Sequence, residues 1–103
     1  MVSDYPLPER FELRQNYPNP FNPRTSFEFR VSSGSTKLSA GSEFVTLKVL
    51  DVLGREVATL VDEYRQPGTY LAQWDASGLP SGVYFYRIQA GGFSDTKKMV
   101  LSK

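Results

Sequence analysis

The chain has 103 residues with 14 aromatics among them, 12 Lys and Arg against 11 Asp and Glu, and neither cysteine nor histidine. The length fits one domain, which should bury roughly 65% of its unfolded surface and so form a core without staples. The missing residue types exclude a disulfide framework, a thiolate zinc site and every catalytic arrangement built on histidine.

Residues 1–51 carry six charges of each sign, and residues 52–103 carry six basic and five acidic. Neither half has the basic stripe that a nucleic-acid partner needs. No apolar run approaches the roughly 18 residues of a transmembrane helix, so no membrane insertion is expected. The start, Met1 to Pro6, lacks the basic and apolar regions of a signal peptide. As given, the chain is expected to stay where it is made, unless it is a piece cut from a longer exported protein.

In chain order, residues 1–10 are expected to be a linker, and 11–103 the domain. Phe11-Glu12-Leu13 is a short first strand. Asn16 to Pro23 holds three prolines in eight residues, each fixing its own φ and pushing its predecessor toward extended geometry. A stiff extended connector follows from this, anchored by Tyr17 and Phe21. Thr25 to Val31 alternates Phe27, Phe29 and Val31 with Ser26, Glu28 and Arg30, the period of a half-buried strand. Ser32 to Ser42 is a flexible polar loop.

Phe44 to Leu50 is the next strand, with Val45, Leu47 and Val49 on one face. Arg55 to Val61 is a further strand of less clean alternation. Asp51-Val52-Leu53-Gly54 between them predicts a hairpin, with glycine able to take positive φ. Gln66-Pro67-Gly68 breaks the chain before Gly68 to Trp74, which puts Tyr70, Ala72 and Trp74 on one side. Ser77 to Gly82 is a second breaker. Val83 to Ala90 is aromatic and branched on both faces, which predicts a central strand covered on both sides. Gly91-Gly92 turns it into Phe93 to Leu101. Seven short strands and no amphipathic helix predict an all-β, immunoglobulin-like antiparallel sandwich. Without the cysteine pair of antibody domains, core aromatics must fill its centre, with Trp74 and Phe85 the first candidates.

The order of motifs resembles one family. Phe11-Glu12-Leu13 with Gln15 to Pro23, Val49 to Val57, Trp74-Asp75, Ser81 to Arg87 and Thr96 to Leu101 together are similar to the type A C-terminal sorting domain of the type IX secretion system. Each motif alone is unspecific, while the ordered set covers residues 11 to 103. The immunoglobulin-like domain of flagellar hook-capping proteins shares the glycine hairpin and the Gly-Val-Tyr strand. The resemblance implies a domain at the end of an exported protein of Bacteroidota-like bacteria, covalently linked to an N-terminal cargo. It implies passage via the periplasm to the cell surface, reading by the outer-membrane translocon, and commonly removal by a sortase-like peptidase. In some lineages such domains stay on as cell-attachment modules. By the same resemblance the signal residues are Asp51, Gly54, Arg55, Gly82, Tyr84, Lys97, Lys98 and Met99. The longer Ser32 to Glu43 stretch departs from the family's short turn.

Plainer roles stand beside these. Gly54 and Gly82 suit positive φ or close strand approach. Lys97 and Lys98 suit either a translocon contact or protection of an edge strand whose unpaired backbone would otherwise recruit other chains, in an edge-strand dimer for example. One of the pairs Tyr84/Tyr86 and Val83/Phe85 should face inward. The aromatics of the Tyr70 to Tyr86 region also admit an accessory carbohydrate-binding module of a secreted hydrolase, and the hook-capping likeness admits a spacer. Asp51, Asp62, Glu63 and Asp75 are scattered, so neither a metal site nor any other cofactor is expected. An enzyme is the poorest reading.

Overall fold

A computed structural model describes residues 10–32 and 42–103. The expected linker, apart from Arg10, and the middle of the expected polar loop lie outside the described residues. Among the described residues seven strands follow one another: β1 (Glu12–Leu13), β2 (Arg24–Val31), β3 (Glu43–Leu50), β4 (Glu56–Arg65), β5 (Gly68–Asp75), β6 (Gly82–Ala90) and β7 (Phe93–Leu101). They form two antiparallel sheets, ordered β1-β2-β5 and β4-β3-β6-β7. Both predicted hairpins, β3–β4 and β6–β7, are present. The β2–β5 and β3–β6 pairs join strands that are distant in sequence.

Alternation along each strand decides which side chains fill the space between the sheets. β2 contributes Phe27, Phe29 and Val31, β3 contributes Val45, Leu47 and Val49, and β6 contributes Tyr84, Tyr86, Ile88 and Ala90. Met99 and Leu101 close the core from β7. Phe27 and Tyr86 meet across it with ring centroids 4.7 Å apart. Each fully buried Val, Leu, Ile, Phe or Met side chain among these contributes about 1.5–3 kcal/mol.

Two expectations about this core are corrected. Phe85 is not a core aromatic. It pairs with Leu50 and Lys98 on the outer face, because Tyr84 and Tyr86 take the inward positions of β6. β6 is therefore central in its sheet but covered on one side only, with Val83, Phe85, Arg87 and Gln89 outward. Trp74 packs at the rim rather than the centre. It is half-buried, with its ring 5.9 Å from Phe21 and 6.3 Å from Tyr84.

β4 runs four residues beyond the expected end, and register shifts lie between Leu47 and Lys48 and between Val49 and Leu50 on its partner. These bulges spoil strict alternation in Val57 to Val61, and they twist an edge strand away from foreign pairing.

The proline-rich segment is a bent belt rather than an extended connector, and its three X-Pro bonds are cis. Phe21 is an anchor, 1% exposed, but Tyr17 is 80% exposed and anchors nothing in the core. The belt is laced to β7. Phe21 N–H donates to Val100 O, Ser102 N–H donates to Phe21 O, Val100 N–H donates to Asn19 Oδ1 and Gln15 Nε2 donates to Lys98 O, all within 3.0 Å. It is also tied to the core, because the Tyr86 hydroxyl accepts from Asn16 N–H and donates to Arg14 O, each at 2.8 Å.

Candidate recognition site

The β3–β4 turn is built by one carboxylate. Asp51 Oδ1 accepts the N–H groups of Leu53 (2.9 Å) and Arg55 (3.0 Å), and Oδ2 accepts Arg55 Nε at 2.9 Å. Gly54 N–H donates to Asp51 O at 3.0 Å with φ at +83°. The N–H of Arg55 foremost, and its guanidinium, hold the Asp51 carboxyl below its ordinary pKa. With the polar groups satisfied inside the turn, its tip presents two apolar side chains, Val52 (65% exposed) and Leu53 (73%).

The loop entering β6 faces this tip. Gly82 begins β6 opposite Leu101 with φ at +151°. Tyr84 is buried, and its hydroxyl donates to Pro80 O at 2.8 Å, which fixes the path of the loop. Lys103 N–H donates to Ser81 Oγ, and Lys103 Nζ donates to Ser77 O. Between turn and loop lies a groove of about 540 Å³, walled by Val52, Leu53 and Val57 on one side and Leu79, Pro80 and Val83 on the other. Its lining is mainly apolar, with Arg55 at the rim.

The structure thus brings Asp51, Gly54, Arg55, Gly82 and Tyr84 to one end of the sandwich. The three β7 candidates divide. Met99 is fully buried opposite Tyr84, so it is a core residue. Lys98 is exposed on the outer face beside Phe85, one cross-strand row from Val83 and the groove. Lys97 points inward opposite Tyr86 and lies half-buried at the sheet edge, 3.8 Å from Asp95. An inward-pointing charge on an edge strand guards against foreign pairing. The two lysines therefore do not form one basic patch.

The groove walls were missed by sequence reasoning. Their signal was two adjacent apolar residues, Val52 and Leu53, at the tip of a tight turn where polar residues normally stand. Of the aromatics that favoured a carbohydrate module, all but the outward Phe85 point into the protein. Tyr84 and Tyr86 are buried, and Tyr70 stacks on Phe29 at 5.5 Å. The carboxylates are committed singly: Asp75 accepts Ser77 N–H, the main cause of its lowered pKa, and pairs with Arg24 at 3.3 Å. Among the described residues no group of three or more acidic side chains converges.

A family model described as the secretion system C-terminal sorting domain matches residues 15–102. No curated protein and no solved structure matches the chain.

Proposed function

The chain belongs to the secretion system C-terminal sorting domain family, and on that premise we propose that the type IX machinery reads it as a folded surface centred on the groove between the Asp51–Arg55 turn and the Leu79–Tyr84 segment. Membership makes the domain a C-terminal sorting signal of type IX secretion, linked to an N-terminal cargo in a secreted or cell-surface parent. The finer reading is that the outer-membrane translocon engages the domain from the periplasm. A sortase-like peptidase then removes it, or it stays as an attachment module. The domain itself does no chemistry.

One observation carries the choice of surface. Segments more than twenty residues apart in sequence converge to hold Val52, Leu53 and Val83 in the open around one apolar groove. Exposed apolar side chains rimmed by polar groups mark interaction sites. In this reading Asp51, Gly54, Gly82, Tyr84 and Met99 act by fixing the shape, Arg55 and Lys98 by direct contact, and Lys97 by protecting the edge. Strand addition to β7 is a poorer mode, since the belt already occupies its outer edge at Lys98, Val100 and Ser102.

The test fuses the chain to a fluorescent cargo in a type IX-competent host and replaces Val52 and Leu53 by Asp. Both side chains are exposed, so the melting temperature should hold while cargo accumulates in the periplasm. Export at the parent level from a stably folded double variant would remove the groove from the account.

A further inference from the structure

The outer face of the β1-β2-β5 sheet has no part in the groove, and its chemistry is of another kind. Three ion pairs cross it: Arg14–Glu28 at 3.6 Å, Arg24–Asp75 at 3.3 Å and Arg30–Glu12 at 3.3 Å. Three guanidinium groups and three carboxylates cancel one another. Among the described residues the face is densely supplied with planar hydrogen-bonding groups and carries no net charge.

One large ring stands out of it. Tyr17 is 80% exposed, yet its backbone is pinned on both sides, with Tyr17 N–H donating to Ser26 O at 3.0 Å and Ser26 N–H donating to Tyr17 O at 2.9 Å. A furrow of about 340 Å³ runs between Tyr17 and the exposed Leu71, floored by Ser26 and Glu28 and flanked by Arg14 and Gln15. A second furrow of about 390 Å³ meets Ser26 from the other side, lined by Pro18, Gln73, Trp74 and the Arg24–Asp75 pair.

From this arrangement we propose that the Tyr17 face binds a neutral polysaccharide, with successive sugar units in the two furrows. A pyranose ring has an apolar C–H face that stacks on an aromatic ring, and a rim of hydroxyls that donate and accept at once. Tyr17 supplies the first, held in place at small entropic cost because its backbone is fixed. Ser26, Gln73 and the paired Arg and carboxylate groups supply partners for the second. Charge selects within the class. An anionic chain would have to displace Glu28 and Asp75 from their arginines, whereas an uncharged chain bonds to the pairs as they stand. The other exposed aromatic pair, Phe44 and Tyr64, meets edge to face at 5.0 Å and 75°, which offers no such isolated platform. This binding is independent of sorting, because neither Tyr17 nor Gln73 touches the groove.

Affinity electrophoresis of the whole chain tests it, in gels containing mannan, xylan, dextran or hydroxyethyl cellulose, with alginate as the acidic probe. The expected result is retardation in at least one neutral gel and none in alginate. Retardation should be lost in Tyr17→Ala, weakened in Gln73→Ala, kept in Tyr17→Trp and unchanged in Tyr64→Ala, with all four melting within a few degrees of the parent. Migration unaffected by every neutral polysaccharide overturns the proposal. So does retardation that survives Tyr17→Ala, or retardation confined to alginate. Export of a Tyr17→Ala fusion should remain normal, so a failure here leaves the sorting surface standing.

Discussion

Replacing Tyr86 by Phe tests whether the belt and the sandwich are one cooperative unit. The Tyr86 side chain is fully buried, and its hydroxyl is the only atom removed. Asn16 N–H loses its acceptor in a site where Asn16 is 2% exposed, and Arg14 O loses its donor beside a more open residue. One orphaned group costs about 1–3 kcal/mol, and the second less where water can reach it, for a total of about 2–3 kcal/mol. For a domain of this size that lowers the melting temperature by about 10–20 °C.

The same hydroxyl carries a pH signature. Burial, outweighing the Asn16 N–H that pulls it down, pushes the phenol from 10 to about 12. The fold therefore prefers the neutral form. That preference is fully present below pH 10 and is lost as pH rises toward 12, about 3 kcal/mol at roughly 1.4 per pH unit. Thermal melts of parent and variant at pH 7, 10, 11 and 12 check both parts. The stability gap should be wide up to pH 10 and close above it. A gap of under 3 °C at pH 7, or one that persists unchanged to pH 12, would refute the coupling.

Gly54→Val should destabilise the domain by about 1–2 kcal/mol through the positive φ alone, since a Cβ there meets nothing within 4 Å; chemical denaturation would show a lower midpoint with an unchanged slope. Met99→Ala should cost about 2–5 kcal/mol by opening a cavity opposite Tyr84, while Lys98→Ala on the exposed face should stay within about 0.5 kcal/mol. Equal losses for the two would contradict their assignment to opposite faces of β7.

The strands were legible because period two survives in Thr25 to Val31 and Phe44 to Leu50, where one face is apolar and the other polar. β6 resisted because Val83-Tyr84-Phe85-Tyr86 is apolar on both faces. Its phase is fixed further along, where Arg87 and Gln89 alternate with Ile88 and Ala90 and send Tyr84 and Tyr86 inward. Tyr17 and Phe21 could not be told apart from local pattern, since what separates them is the lacing of Phe21 to Val100 and Ser102 across eighty residues of chain. The turn chemistry of Asp51 and Gly54 was readable from residue type alone. That its apolar tip faces the Leu79–Val83 wall depends on β3 pairing with β6, a tertiary fact with no local signature. Lys97 and Lys98 looked like one feature in sequence, but adjacent residues of a strand face opposite ways.

The proposed address is a folded surface at the groove. Its most direct measurement is the fraction of cargo exported by the parent fusion and by the Val52→Asp/Leu53→Asp fusion, with each domain's melting temperature recorded beside it. The expected result is a domain that melts within a few degrees of the parent and a cargo trapped in the periplasm. Full export from that folded variant would contradict it.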